Sequence, residues 1–248
     1  MSDAAGAAPR RPALRRWLDF ALRTPLHPQW LVVRHRVERM RWIAARARGA
    51  VLDVGCAGST MRPLLRCDRY VGLDYPTTAL GLYRTRPDVF GDAARLPIAD
   101  ASLDTVLLVD VIEHLSEPEA ALAEAARVVK PEGRVLITMP FAYPMHDQPH
   151  DYQRWTRHGW THRLRRAGLE AVAIEENGNA AQAAAANLSM ALAQGGLDAI
   201  ARPGWRVVAL ALLPLLVLVA NAYGWLASWL LPTRELMPAG YLVEAKRA

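Results

Sequence analysis

Val51-Leu52-Asp53-Val54-Gly55-Cys56-Ala57-Gly58-Ser59-Thr60 decides the fold class: a short apolar strand runs into an acid and then into a tight loop of small residues. Asp53 ends the strand, while Gly55 and Gly58 permit backbone angles or close ligand approaches that a side chain would block. That order points to a nucleotide-like cofactor at a strand end. The stretch is not specific by itself, because a strand followed by a glycine turn also occurs in α/β proteins that bind no cofactor.

Working outward, Tyr70-Val71-Gly72-Leu73-Asp74 reads as a second strand ending in a carboxylate, 21 residues after Asp53 and suited to accept hydrogen bonds from ribose hydroxyls. A solvated turn Asp is its plain alternative. Gly91-Asp92-Ala93 closes a third strand, where Asp92 either takes the exocyclic amine of an adenine or simply faces solvent. Leu103 to Asp110 is almost continuously apolar, as a central parallel strand covered on both faces should be. Pro118 to Val129 has helical spacing, Lys130-Pro131-Glu132-Gly133 is expected to turn the chain, and Arg134 to Met139 is the next strand. The alternation predicts an α/β fold with a doubly wound, Rossmann-like sheet.

The motifs VLDVGCAG from Val51, YVGLD from Tyr70, GDAARLPIADASLDTVLLVDVIEHL from Gly91 and VKPEGRVLITMP from Val129 together resemble the class I S-adenosylmethionine-dependent methyltransferases, especially the type 11 group. The resemblance covers roughly residues 49 to 175. It implies S-adenosylmethionine as cofactor, with Asp53, Gly55 and Gly58 bordering the methionine moiety, Asp74 the ribose, and Asp92 with Ala93 the adenine. Cys56, Tyr75 and Asp110 complete the implied cofactor-binding set. The loop has Ala57 where the family usually has a glycine, so Gly58 is expected to supply flexibility one place later. A dehydrogenase is the rival for such a sheet. Against it, Met61 stands where the third glycine of its phosphate loop belongs, and Asp53 suits a zwitterionic amino-acid moiety better than a pyrophosphate.

Chemistry is expected from the loop after the fifth strand, Pro140 to Thr156, because doubly wound sheets place acceptors at the carboxyl ends of strands. This loop is similar to one in methyltransferases found alongside polysaccharide and lipid-glycan assembly. His146 is the candidate base for an acceptor hydroxyl, since imidazole takes a proton near neutral pH, and His114 of the family's Glu-His pair is the second candidate. A histidine bonded only to backbone is the alternative for His146. Asp151 and Arg154 are read as an ion pair fixing the loop, and Thr156 as a helix N-cap. No metal site is expected, because the proline between His146 and His150 argues against a helix presenting both and no second ligand pair has suitable spacing.

The chain has 248 residues, 52% of them apolar, enough for one substantial core with appendages. Two cysteines exclude a disulfide framework and fit a reducing compartment, and no secretory leader is expected. The formal charge of +6 is concentrated near the start, where residues 1 to 50 hold 11 Arg against Asp3, Asp19 and Glu38. Two basic helices are expected there. One carries Leu14, Trp17, Leu18, Ala21 and Leu22 on a single face and suits an anionic bilayer; the other, from about Pro28 to Arg48, suits a lid over the pocket. Nucleic acid is not an expected partner, since no aromatic recognition motif accompanies the charge.

Val207 to Thr233 contains 27 residues without a charge, long enough to reach across a bilayer. If Leu169 to Glu175 and Gly240 to Arg247 pair in one sheet, this segment must enter and leave a membrane on the same side. An in-plane or re-entrant hairpin, bent at Pro214 and Gly224, is therefore expected rather than a single crossing. Between them Asn179 to Gln194 reads as an alanine-rich helix broken at Gly195-Gly196. The organisation expected is basic helices over 1–48, a cofactor-binding core over 49–178, a membrane-associated insertion over 179–233 and a returning strand over 234–248. The implied activity is methyl transfer to an oxygen of a small or lipid-linked acceptor on the cytosolic face of a membrane. A catalytically silent, membrane-associated scaffold is the alternative.

Overall fold

The computed structural model describes residues 22–202, 204, 210–231 and 235–248. The basic helix expected around Leu14 to Leu22 lies, but for its last residue, outside them. Strands β1 (Ala50–Val54), β2 (Arg69–Asp74), β3 (Val89–Phe90), β4 (Leu103–Val109), β5 (Val129–Pro140), β6 (Leu169–Asn177) and β7 (Gly240–Arg247) form one sheet in the order 3-2-1-4-5-7-6. β7 runs antiparallel to both β5 and β6, and the other neighbouring pairs are parallel. The mixed α/β sheet is the one the strand pattern predicts.

Alternation along the central strands divides the core between two faces. Leu52, Val54, Val106, Leu108, Val135, Ile137 and Val243 pack towards helices α2 (Pro118–Val128) and α3 (Arg157–Arg166). Val51, Leu107, Leu136 and Leu242 face the other way, against Trp42, Ile43 and Ala47 at the end of helix α1 (Trp30–Arg46). Arg46 anchors that end, pairing with Glu175 of β6 and Glu244 of β7 while its guanidinium lies 4.2 Å from the Trp42 ring centroid. The second basic helix is thus built into the core rather than appended to it.

Lys130 to Gly133 do not form a free turn. They belong to β5, and the excess residues are absorbed as a register irregularity, with Leu103 opposite Val129 and Thr105 opposite Arg134. Helix α4 (Ala180–Ala201) runs through Gly195-Gly196 without a break. A Cβ on Gly196 would sit 2.7 Å from Leu213 Cδ2, so the glycine admits a neighbouring helix instead of ending its own.

That neighbour, α5 (Leu213–Leu230), is continuous; Pro214 occupies its first turn, where a missing amide hydrogen is harmless, and Gly224 does not bend it. A Cβ on Gly224 would lie 2.4 Å from Ala185 Cβ, which makes it a contact glycine like Gly196. The expected hairpin inside residues 207–233 is therefore replaced by one made of α4 and α5. Residues 207–209 and 232–233 lie outside the described part. The pairings Gln182–Ser228, Ser189–Asn221 and Gly196–Leu213 show the two helices to be antiparallel.

Asn179 caps α4 in a reciprocal capping box with Gln182. Asn177 pairs with Gly240, so the hairpin leaves and rejoins the sheet at one place. Its base packs on α1: Leu31 is buried against Ala185 and Ala186, and the Asn221 amide donates to the carbonyls of Pro25 and His27.

Candidate active site

A cavity of about 520 Å³ opens at the carboxyl ends of β1, β4 and β5, beneath α1. Three layers line it. Asp53, Gly55, Cys56 and Ala57 come from the β1 loop; Asp110, Glu113 and His114 follow β4; Tyr143, His146 and Asp147 follow β5. His35, Arg36 and Arg39 of α1 close the top, as the lid reading of that helix requires.

The β1 loop is held by its own polar groups. Gly55, with φ +70°, donates its amide to the Leu73 carbonyl, and a Cβ there would lie 2.3 Å from Val111 Cγ2. The other left-handed positions are Ala57 and Ser59. Gly58 is not left-handed and has only Thr85 near a notional Cβ, so it does not supply the missing flexibility of Ala57. Asp74 steadies the loop instead: Oδ2 accepts from the Ala57 amide at 2.8 Å and Oδ1 from Tyr75 at 2.7 Å. Burial of the Cys56 thiol raises its pKa to about 11, which makes it a packing group against Gly72 rather than a nucleophile.

Asp53 is almost fully buried. Loss of solvent is the main cause that raises its pKa to about 6, partly offset by the hydrogen bond it accepts from the Tyr70 hydroxyl. Such an acid favours an incoming cation, as an amino-acid ammonium would be. Asp74, Tyr75, Asp92 and Ala93 do not line the cavity. Asp74 ends β2, Asp92 follows β3 as an exposed residue whose Oδ1 accepts from the Ala94 amide, and Tyr75 is exposed.

The acceptor end is assembled from two separate segments. After β4, Asp110 takes φ +51°, accepts from the Thr138 hydroxyl at 2.8 Å and pairs with Arg39 at 2.7 Å, which ties the lid helix to the floor. Ile112–His114 then makes one turn that buries Glu113 completely, with neither carboxylate oxygen hydrogen-bonded. Burial, and next the nearby Asp110 charge, push this carboxyl well above the usual carboxylate range.

The loop after β5 is strapped to that turn. Tyr152 donates its amide to the Glu113 carbonyl, Gln153 donates to the carbonyls of Ile112 and Leu115, and His114 Nδ1 lies 2.7 Å from the His150 carbonyl. Asp151 and Arg154 form a bidentate pair, and Thr156 caps α3 by accepting from the Gly159 amide. The His146 and His114 rings consequently meet edge to face, 4.8 Å between centroids.

His146 Nδ1 is approached by the Pro144 carbonyl at 3.3 Å, Asp151 Oδ2 at 3.4 Å and Arg154 at 3.5 Å. The two nearer groups are acceptors, which assigns the ring proton to Nδ1 and leaves Nε2 as a lone pair 4.0 Å from Glu113 Oε1. Glu113, Arg39, Tyr83 and Tyr143 also line the cavity, and none is singled out by the sequence reading. The Glu-His pair was a signal for Glu113; the others sit on elements whose packing over the cavity no local spacing encodes.

The amino-acid end of S-adenosylmethionine fits this arrangement on two observations: the buried, solvent-deprived Asp53 carboxylate, and a volume within the range of about 300–1,000 Å³ usual for ligand pockets. Asp53 and the β1 loop would hold the amino-acid portion. Asp74 keeps a second lone pair on each oxygen for ribose hydroxyls.

Residues 52–137 match the family model described as a methyltransferase domain. A Mycolicibacterium smegmatis protein named a probable S-adenosylmethionine-dependent methyltransferase is 37% identical over 114 residues, which cover 43% of this chain and 44% of the relative. A demethylmenaquinone methyltransferase of Renibacterium salmoninarum is 36% identical over 120 residues, 44% of this chain and 50% of that protein. The chain thus spans about half the length, or less, of these curated relatives. An S-adenosylmethionine-dependent methyltransferase structure from Mesorhizobium loti superposes with a TM-score of 0.52 at 14% identity, covering 88% of this chain and all of that one, which shows a shared fold. Residues 52–137 are thus similar to the methyltransferase domain of S-adenosylmethionine-dependent enzymes, and S-adenosylmethionine is the cofactor that the matched segment calls for.

Proposed function

We propose that the chain transfers a methyl group to a hydroxyl oxygen of a lipid-linked or membrane-dissolved acceptor, working at the cytosolic face of a membrane. The observation that carries the reading is the single cavity joining the Asp53 loop to His146. S-adenosylmethionine, when bound, supplies a methyl on a sulfonium whose sulfide leaves readily. The chain's residues then have two tasks. α1 and the Asp110–Arg39 pair cover the cavity and exclude water. His146 Nε2 takes the acceptor proton, and Asp151, next to Nδ1, stabilises the imidazolium formed; such a base contributes about 10² to 10⁴ in rate.

The membrane part of the proposal is supported by α5, whose 18 residues have a mean hydropathy of 1.5 with 28% of the helix buried, so it meets the length and composition needed to cross a bilayer. Leu212, Leu215, Leu216, Val219, Tyr223 and Leu226 are exposed on or just before it. Because the hairpin leaves and rejoins the sheet together, this face suits in-plane docking. Lipid-linked glycans, polyprenyl carriers and quinone-like phenols all combine a hydroxyl with an apolar tail. Similarity to a demethylmenaquinone methyltransferase gives weight to the last.

Calorimetric titration of the detergent-solubilised protein with S-adenosylhomocysteine, with NADH as control, tests the cofactor step. Saturable binding that Asp74→Ala weakens is the expected result, and indifference to that substitution would favour a silent scaffold. With labelled S-adenosylmethionine and a panel of membrane phenols and polyprenyl acceptors, His146→Ala should lower kcat about 10²-fold or more with little change in cofactor affinity. Unaltered kcat would remove His146 from the reaction.

A further inference from the structure

The turn after β4 and the loop after β5 bring two imidazoles to one buried carboxylate. Glu113, His114 and His146 each offer one donor atom, all within 4.8 Å of one another. His114 Nε2 lies 3.8 Å and His146 Nε2 4.0 Å from the same Glu113 oxygen. Glu113 is 0% exposed, lines the cavity, and has no hydrogen bond on either carboxylate oxygen, whereas buried carboxylates are ordinarily paired. Both rings are held from behind: His114 Nδ1 faces the His150 carbonyl at 2.7 Å and His146 Nδ1 faces Asp151, itself fixed by Arg154. Each Nε2 then lies within 4.0 Å of Glu113, and that of His114 also lies 4.0 Å from Asp147 Oδ2. Tethering of the far ring nitrogen to a carbonyl or carboxylate is the arrangement that orients metal-binding histidines.

We propose that Glu113, His114 and His146 form a divalent transition-metal site at the acceptor end of the cavity. Two imidazoles and a carboxylate suit Zn²⁺, Mn²⁺ or Fe²⁺ better than Mg²⁺ or Ca²⁺. Bonds of about 2.0–2.2 Å place donors roughly 3 to 3.4 Å apart, so the three groups close by small side-chain rotations. Three protein ligands leave a position open to the cavity.

The role of the ion rests on the methyl-transfer reading; the site itself does not. The acceptor's hydroxyl oxygen binds at the open position before the methyl-transfer step, its O–H bond breaks and the proton is released to bulk solvent through the cavity mouth. That oxygen's electron pair then forms the O–CH₃ bond as the C–S bond breaks, with the electron pair of that bond returning to sulfur to give the neutral sulfide. With the ion in place, His146 Nε2 is a ligand, and this route replaces the direct proton transfer to Nε2 that serves the ion-free site.

Chelator-treated full-length protein, dialysed against Mn²⁺ or Zn²⁺ and measured by elemental analysis, should retain one ion per chain, and Co²⁺ should give a visible absorption band. His146→Ala and Glu113→Gln should each abolish retention, and Asp151→Asn should weaken it about 10- to 100-fold. Thermal melting of the same samples establishes that each variant is folded, and S-adenosylhomocysteine titration separately tests the cofactor reading. Folded protein that retains no ion, or retention that survives both ligand substitutions, overturns the site. Ion binding lost in the variants by protein that fails to bind S-adenosylhomocysteine supports the site and counts against methyl transfer instead.

Discussion

Asp53 carries a pH-dependent cost of burial. Its pKa in the folded chain, about 6, exceeds the ordinary value of 3.8 because burial opposes the charge. The folded state therefore holds the proton more tightly than the unfolded state. The associated stability is fully present below about pH 4 and is lost as the pH rises through 6, a difference on the order of 3 kcal/mol. Asp53→Asn keeps an acceptor for the Tyr70 hydroxyl and removes the buried charge. At pH 7 the cofactor-free variant should resist urea more than the parent by up to about 3 kcal/mol, with the gap closing towards pH 4. Its S-adenosylhomocysteine affinity should fall at the same time. A variant no more stable than the parent at pH 7 would mean that Asp53 already has a compensating partner. At this scale the strand-end motifs divide: Asp53, Gly55, Cys56 and Asp110 line the cavity, whereas Gly58, Asp74, Tyr75, Asp92 and Ala93 do not. The sequence was a poor guide to Glu113 and His146 meeting, because they are 33 residues apart with α2 and β5 between them, and the loop that carries His146 has no periodicity.

Among the elements, α1 shows a second pH response of opposite sign. His35 is buried between this helix and α4, 3.4 Å from the Gln182 amide oxygen, with its ring packed where a Cβ on Gly178 would stand. Burial first, and then the charges of Arg39 and Arg34, depress its pKa from 6.5 to about 4, against the raising effect of Gln182. The contribution of neutral His35 is present above pH 6.5 and is lost as the pH falls to 4, again on the order of 3 kcal/mol. Asp53 and His35 nearly cancel in global stability, so the effect is best read locally. Hydrogen exchange of residues 30–46, corrected for intrinsic chemistry, should accelerate between pH 7 and 5 in the parent, and His35→Gln should flatten that dependence. Equal acceleration in both proteins would place the switch elsewhere. The strands and α2 were legible because their apolar periods are strong. Gly195-Gly196 and Gly224 were not, since a glycine admitting a neighbouring helix has the same local signature as one that ends a helix; only Leu213 and Ala185 reveal the difference.

Taken whole, the molecule couples its cavity to its most apolar exposed face through one packed unit. α5 touches α1 through Leu31 near Gly224 and the segment just before α1 through Asn221, and α1 roofs the cavity with His35, Arg36 and Arg39. A surface that docks the hairpin would thus hold the roof beside the source of a lipid acceptor, which gives the hairpin a reason to be inserted between β6 and β7. At 18 residues α5 extends about 27 Å, and its inner stripe of Val217, Ala220, Gly224 and Ala227 is already committed to α4 and α1. The outer stripe stays exposed. Tyr223 is 63% and Trp229 78% exposed, so glutamates there disturb little packing but oppose insertion of an apolar face. Tyr223→Glu combined with Trp229→Glu should reduce co-sedimentation with anionic phospholipid vesicles at least about 10-fold, with melting temperature and S-adenosylhomocysteine affinity unchanged. Turnover should then fall for vesicle-borne acceptors and persist for short-chain soluble analogues, because the double variant leaves His146 and the β1 loop intact. Vesicle binding that survives the substitutions would remove α5 as the docking surface and shift attention to the basic segment preceding α1.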